Sequence, residues 1–249
     1  MRITSATVVA IAALAVTLTA CGDATTPGAP GGPSATTSVA GIPPRNTPLS
    51  ASGLRIDGAQ GTLAYDVLVP QVQGGTGTGP KAFNQGMRAL LQSLIDEYDD
   101  GGVSLTDPTE LSAVEHIGGK VISGVLWTSL DGGGVRPITI MGTHVTNLET
   151  GLEIELPELF TDQQAGLDAL SAQAALLLPQ SRTGADFDAD GITPTLENFR
   201  CWTATPEGMH VHFVPGQVGP NAMGVVDLTI PWTALSTVLD PAWSGVIDS

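Results

Sequence analysis

Residues 191–235 read GITPTLENFRCWTATPEGMHVHFVPGQVGPNAMGVVDLTIPWTAL, a succession of strand and turn signals that sets the type of fold. Two runs that favour β-structure, residues 198–204 and 209–214, flank the turn-prone sequence Thr-Pro-Glu-Gly, which predicts an antiparallel hairpin. A further strand is predicted at residues 225–230, and a short helix is predicted after Pro231, from about Thr233 to Leu239.

Two longer amphipathic helices are predicted upstream of this hairpin. The first helix starts at Pro80 and runs to about Tyr98. The second helix begins at a capping box whose first residue is Thr161, and it ends at Pro179. The residues predicted to face the core are Phe83, Met87, Leu91, Leu94 and Tyr98 in the first helix and Leu167, Leu170, Ala174 and Leu178 in the second. Two short strands are predicted within residues 54–69, and Pro70 is predicted to end the second. Further strands are predicted at residues 121–130, 137–147 and 152–156. Hairpins that alternate with helices indicate an α+β protein, in which antiparallel hairpins and sheet pack with two main helices and a short C-terminal helix.

The N-terminus has the features of a secretory signal peptide. Arg2 supplies a positive charge, and residues 8–18 (VVAIAALAVTL) form an apolar run that is too short to span a membrane comfortably. Leu-Thr-Ala-Cys at residues 18–21 resembles the lipobox of bacterial lipoproteins, which implies cleavage before Cys21 and diacylation of its sulfur. We therefore expect a signal peptide at residues 1–20 and an extracytoplasmic chain that is lipid-anchored to the cell membrane. The alternative is an ordinary signal peptide in which the cysteine is unmodified.

The composition changes sharply after the cleavage site. Residues 22–50 contain one aspartate, one arginine and no aromatic residue, and more than a third of them are Pro or Gly. Such a segment buries too little apolar surface to offset the entropy that is lost on ordering. Residues 21–50 are therefore predicted to form the lipidated cysteine and a disordered tether, and residues 51–249 the folded domain.

The charge balance excludes nucleic acid as a partner. The chain has nine Lys plus Arg against 25 Asp plus Glu, a net charge of −16, whereas nucleic-acid affinity depends on the neutralisation of phosphates. Residues 51–249 carry a net charge of −17, which favours the attraction of basic partners. GGTGTG at residues 74–79 lacks the Gly-Lys-Ser/Thr of a phosphate-binding loop, so no nucleotide is expected.

The strongest chemical motif is an acidic loop at residues 186–197. It satisfies Asp-x-Asp-x-Asp-Gly followed by five residues and Glu, which is the spacing of a calcium-binding loop. The ligands would be Asp186, Asp188, Asp190, the carbonyl oxygen of Ile192 and Glu197. However, Pro194 is stiff, and a strand rather than a helix is predicted to follow. We therefore prefer an acidic surface loop, with calcium binding as the alternative, and expect no other cofactor.

The remaining reactive side chains form no recognisable catalytic motif. His210 and His212 lie two apart on one predicted strand, so both rings project from the same face, a spacing that is also used for zinc. The sequence identifies no third ligand, and we interpret them as a solvent-facing or packed pair. His116 beside Glu115 is interpreted as an ordinary polar pair, and Cys201 as a buried thiol. Since no hydrolase signature is present, we expect no enzymatic activity.

Residues 191–235 resemble a domain that is shared by the carboxy-terminal part of RsiV-type anti-sigma factors, the amino-terminal part of some peptidoglycan deacetylases and secreted immunogenic antigens of mycobacteria. The stretches that carry the resemblance are PTLENFRCW at 194–202, QVGP at 217–220, IPW at 230–232, ETGLEIELPELF at 149–160 and the helix that holds Asn84. These stretches are turns and strand ends, so the resemblance implies the fold more than an activity. The family's Gly-Gly-Ala-His is absent from the turn that follows Asp131, and no role for that histidine is carried over.

Together these features predict an envelope lipoprotein that presents an RsiV-like module as a binding surface. The resemblance implies a lysozyme-type hydrolase as a partner, whose basic surface would suit the acidic domain. Another envelope protein is the alternative partner. Two further interpretations stay open, a non-catalytic envelope scaffold without a soluble ligand and an uncharacterised extracytoplasmic hydrolase.

Overall fold

The computed structural model of the protein describes residues 47–107 and 111–249. The predicted signal peptide at 1–20, Cys21 and all but the last residues of the predicted tether lie outside the described residues. The carbonyl oxygen of Thr47 already accepts a hydrogen bond from the Gly75 N–H, and Leu49 packs against the core. No helix in this described part of the chain is both long and apolar enough to cross a membrane.

The described residues form two sheets and three helices, which confirms the predicted α+β class. The strands are β1 (Ser50–Gln60), β2 (Leu63–Gln73), β3 (Ser104–Thr106), β4 (Ala113–Ile117), β5 (Val121–Asp131), β6 (Ile138–Asn147), β7 (Trp202–Thr205), β8 (Gly208–Phe213) and β9 (Val226–Ile230). The helices are α1 (Gly79–Tyr98), α2 (Gln163–Leu177) and α3 (Trp232–Leu235), the last of which is shorter than predicted.

The larger sheet is built around β5. One edge of β5 pairs with β6, and the other edge pairs with β3 at one end and with β4 at the other. The β1–β2 hairpin joins this sheet through a parallel pairing of β2 with β3, whereas all the other pairs are antiparallel. The smaller sheet has the order β7-β8-β9 and is antiparallel throughout.

Helix α1 covers one face of the six-stranded sheet. The core-facing residues predicted for this helix are confirmed. Four of them, Phe83, Met87, Leu91 and Leu94, are buried in one cluster with side chains of β2 and β5, and Tyr98 packs against that cluster partly buried. The amide of Asn84 accepts a hydrogen bond from the Val72 N–H at 2.7 Å and donates one to the Val72 carbonyl at 2.8 Å. This side chain satisfies the backbone at the end of β2 and fixes the helix against it.

The smaller sheet packs between the six-stranded sheet and α2. Its apolar face shares a buried cluster with Leu167, Leu170 and Ala174 of α2, as predicted for that helix. The helix is capped by Asp162, whose carboxylate accepts a hydrogen bond from the Ala165 N–H, rather than by the predicted Thr161. An aspartate is an equally good cap, because its oxygen satisfies an N–H that has no partner within the helix.

Strand β2 continues through Pro70, where the sequence predicts its end. Leu68 and Val72 donate their N–H groups to side chains outside the β1–β2 ladder. Because Pro70 lies midway between them, its missing N–H also falls on the edge that faces away from β1, and the ladder is not interrupted.

The predicted strand at residues 152–156 is wrong. Only one bridge forms there, between Thr146 and Glu153. The chain then enters a 3-10 turn at Leu156–Leu159, because Pro157 suits the first turn of a helix and cannot donate to a strand ladder.

We predict that Gly191→Ala destabilises the domain whether or not calcium is present. A Cβ atom at Gly191 would overlap the Gln217 carbonyl oxygen, so the backbone would have to shift. Overpacking of this kind costs about 1–3 kcal/mol. Calorimetry in a calcium chelator should show a Tm that falls by about 2–4 °C for each kcal/mol lost.

Gly134→Ala is the matched control, since nothing lies within 4 Å of its added Cβ and its φ is not left-handed. A Gly191→Ala variant with the Tm of the wild type would contradict the close approach of the two segments.

Candidate functional site

Three side chains from two different sheets meet between β4 and β8. Within residues 47–107 and 111–249, Glu115, His210 and His212 are the one group of three potential metal ligands whose ligand atoms all lie within 4.8 Å of one another. We call these three residues the Glu–His–His cluster.

The smaller sheet places both histidines on one face, as the sequence predicts. Residues two apart on a strand point to the same side, and directly paired residues share that side. His210 is paired with Thr203 of β7, and His212 is paired with Asp227 of β9. The four side chains therefore form one polar patch on the sheet face opposite the apolar cluster shared with α2.

Glu115 reaches this patch because β4 is irregular. Val114 pairs with Gly124 of β5 and His116 pairs with Ser123, so Glu115 is an extra residue at a β-bulge. Bulges redirect the side chain of the inserted residue and are common next to functional sites. The bulge points the carboxylate at the smaller sheet.

One oxygen of Glu115 contacts three of the four side chains of the patch. His210 Nδ1 lies 3.1 Å and His212 Nε2 lies 3.3 Å from Glu115 Oε2, and Thr203 donates its hydroxyl to the same atom. On the other side of the ring, His212 Nδ1 lies 2.9 Å from Oδ1 of Asp227. The His212 imidazole, which is only 3% exposed, is thus held between two carboxylates.

These contacts shift the pKa values of two groups in opposite directions. Burial alone would lower the pKa of His212, but hydrogen bonds to Asp227 and Glu115 and their negative charges outweigh it and raise that pKa to about 9. Burial alone would raise the pKa of Glu115, but hydrogen bonds from His210 and His212, with the positive charge of His212, hold it well below its usual range. In the metal-free protein the patch therefore contains an ion pair at neutral pH.

The sequence prediction found the histidine pair but missed its third member. The sequence alone indicates an ordinary polar pair of Glu115 and His116. In the structure, His116 Nε2 lies 2.8 Å from the Ser249 carbonyl oxygen, and Glu115 joins the two histidines of β8. A carboxylate in a short strand carries no sequence signal for a bulge, and its partners are about 90 residues away. The interpretation of His210 and His212 as a solvent-facing or packed pair is incomplete without it.

The residues of the predicted calcium loop are not brought together into such a cluster in the described structure. The Asp188 carboxylate accepts a hydrogen bond from the Asp190 N–H, Ile192 is buried in the core, and Glu197 pairs with Arg200 at 3.3 Å. Asp186 ends a separate 3-10 turn at Gly184–Asp186. The acidic surface loop therefore stays the preferred interpretation, with calcium binding as the alternative.

Two other reactive side chains are occupied by the fold. Cys201 is a buried thiol, as predicted, and burial raises its pKa to about 11, which disfavours the nucleophilic thiolate. His144 is also buried and lies 3.1 Å from Glu153, away from the Glu–His–His cluster.

Comparison with known proteins supports the fold and names a family for part of the chain. Residues 157–233 match the model of a family described as "Protein of unknown function (DUF3298)". This range includes both histidines of the Glu–His–His cluster but not Glu115. No curated protein matches the sequence.

Two solved structures of DUF3298 family proteins are similar to this chain. The protein from Pseudomonas aeruginosa PAO1 has a TM-score of 0.52 and 16% identity, and the alignment covers 79% of this chain and 96% of that chain. The protein from Bacteroides fragilis NCTC 9343 has a TM-score of 0.48 and 13% identity, with coverages of 80% and 96%. The likeness to the Pseudomonas protein shows a shared fold. Within that fold, residues 157–233 are the part that matches the DUF3298 family.

We predict that the metal-free domain loses stability as the pH rises from about 6.5 to 9. His212 has a pKa of about 9 in the folded state against 6.5 for an unperturbed histidine, so its contribution is complete below pH 6.5 and disappears as the pH passes 9. The loss should be roughly 3 kcal/mol. It is measured as the Tm at a series of pH values with a chelator present.

His212→Gln should remove this slope, because glutamine does not titrate. His144→Gln is the control and should keep it, since His144 lies outside the cluster. A His212→Gln variant with the full slope would show that other groups produce it.

Proposed function

We propose that the chain is an envelope lipoprotein, anchored by a diacylated Cys21, whose α+β module binds a basic protein. A lysozyme-type hydrolase is the partner that the resemblance to RsiV-type anti-sigma factors implies, and a basic envelope protein is the alternative. The observation that carries the proposal is a group of four carboxylates at the C-terminal end of α1. These are Asp96, Glu97, Asp99 and Asp100, which we call the acidic end of α1.

Carboxylates are unfavourable at this end of a helix. Unpaired carbonyl groups make a helix C-terminus negative, so that basic side chains are preferred there, and the last turn of α1 has none. Gln60 and Gln92 donate hydrogen bonds to Asp96, which lowers the pKa of Asp96 and keeps it ionised. The exposed carboxylates of Glu97 and Asp100 would suit recognition of a cationic partner.

The surrounding charge strengthens the same surface property. Residues 51–249 carry 24 acidic and seven basic side chains. Two of these basic residues are already engaged, since Arg55 pairs with Asp66 and Asp107, and Arg200 pairs with Glu197. The net field therefore attracts a basic protein and accelerates its approach.

We predict that residues 22–249 bind lysozyme in a one-to-one complex that persists in about 0.3 M salt. Diffuse attraction between opposite charges is screened at that ionic strength, whereas a close interface survives. In calorimetric titrations, Glu97→Gln/Asp100→Asn should weaken the complex about tenfold or more, because it removes charges from the acidic end of α1.

The matched control is Glu207→Gln/Asp248→Asn, which removes the same charge from exposed positions outside α1. Its affinity should stay within about threefold of the wild type. Loss of all binding heat at the higher salt, or equal weakening by both double variants, would contradict the proposed interface.

The lipid anchor gives a separate prediction. Cys21→Ser should release the protein from the membrane fraction and abolish its labelling by palmitate, because the sulfur that would carry the acyl chains is gone. Cys201→Ala is the control and should stay membrane-bound, since this thiol is buried in the core. Continued labelling of Cys21→Ser would exclude Cys21 as the acylated residue.

A further inference from the structure

We propose that Glu115, His210 and His212 bind a zinc ion that joins the two sheets. Glu115 belongs to the six-stranded sheet, whereas both histidines belong to the three-stranded sheet. A metal held by all three would therefore link elements that share no strand pairing.

Two of the three distances between the ligand atoms fit one tetrahedral ion, and all three atoms lie within 4.8 Å of one another. Zinc lies about 2.0–2.1 Å from nitrogen and oxygen ligands, so two ligands of a tetrahedral ion are about 3.3–3.4 Å apart. Glu115 Oε2 lies 3.1 Å from His210 Nδ1 and 3.3 Å from His212 Nε2. An ion can bind here once the two histidine nitrogens also take up this separation.

The position of Asp227 prepares His212 to be a ligand. Its carboxylate lies 2.9 Å from Nδ1 and accepts a hydrogen bond from the Nδ1–H, which leaves Nε2 to face Glu115. The same carboxylate–histidine–metal arrangement orients histidine ligands in known zinc sites. Thr203, which donates its hydroxyl to Glu115, orients the carboxylate in a similar way.

The charge of the patch also favours a divalent cation. Glu115 and Asp227 contribute two negative charges, and within the described residues neither forms an ion pair with a lysine or arginine. A Zn²⁺ ion bound by neutral histidines would balance both carboxylates. In the metal-free protein the proton on His212 supplies part of this compensation, and zinc would replace that proton.

The chemical types of the three ligand atoms indicate which metal ions would bind. Two imidazole nitrogens and one carboxylate oxygen suit zinc, whereas calcium and magnesium prefer oxygen ligands alone. Three protein ligands leave a fourth position for water. The side chains of His210 and Glu115 are 27% and 18% exposed, so this position is accessible from solvent.

The test is a titration of the full chain, in detergent and after removal of metal by a chelator, with ZnCl₂. We expect one zinc per chain, a higher Tm on binding and, with Co²⁺ as a spectroscopic probe, the intense visible absorption of a tetrahedral ion. His210→Gln and Glu115→Gln should each weaken zinc binding by about a hundredfold or more. Asp227→Asn, which removes only the orienting carboxylate, should weaken it about 10–100-fold.

Two matched controls separate this site from others in the chain. His144→Gln removes a histidine that also faces a carboxylate, and Asp190→Asn removes a carboxylate of the predicted calcium loop. Both should keep the zinc affinity within about threefold of wild type. Because His210 lies at the exposed side of the cluster, His210→Gln carries the test if Glu115→Gln does not fold.

Several results would overturn the proposal. One is that the wild type fails to bind one zinc per chain. Another is that a folded His210→Gln variant keeps the zinc affinity of the wild type. The third is that either control variant loses as much zinc affinity as His210→Gln does. Lysozyme binding is measured on a different surface, so failure of the zinc site leaves that proposal standing.

Discussion

The carboxylate of Glu115 is the contact on which the relation between the two sheets depends. A partly buried negative charge must be compensated by hydrogen bonds and positive charge, and Glu115 finds both on the neighbouring sheet, in Thr203, His210 and His212. The Ser123 hydroxyl strengthens the same junction by donating a hydrogen bond to the Ala204 carbonyl at 2.7 Å. The sheets share no strand pairing, so these side-chain contacts set their position together with apolar packing.

The two proposed activities use opposite faces of the six-stranded sheet. Helix α1 packs on one face, and its acidic end is the surface proposed to bind a basic protein. The three-stranded sheet packs on the other face and contributes the histidines of the proposed zinc site. Zinc would stabilise the module that presents the acidic end of α1. It would not contact the basic partner, because the Glu–His–His cluster and the acidic end of α1 lie on opposite sides of the six-stranded sheet.

Local patterns predicted most elements, because they reflect interactions between residues close in sequence. The Phe83, Met87 and Leu91 stripe of α1 and the β7–β8 hairpin follow from periodicity and turn chemistry. The acidic motif at 186–197 shows the limit of this approach. Its spacing is that of a calcium loop, which would need Gly191 for a sharp turn, whereas the structure needs Gly191 because the Gln217 carbonyl passes close to it.

The sequence by itself determined the α+β class and the placement of His210 and His212 on one face of a strand, since both follow from the twofold repeat of a strand and the periodicity of helices. Only the tertiary structure decided that Glu115 completes a cluster with them. Glu115 and His210 are 95 residues apart, and they meet because a bulge in β4 redirects one side chain toward another sheet. Neither the bulge nor the packing of the sheets is encoded in a local pattern, because both arise when strands from distant parts of the chain pair and pack.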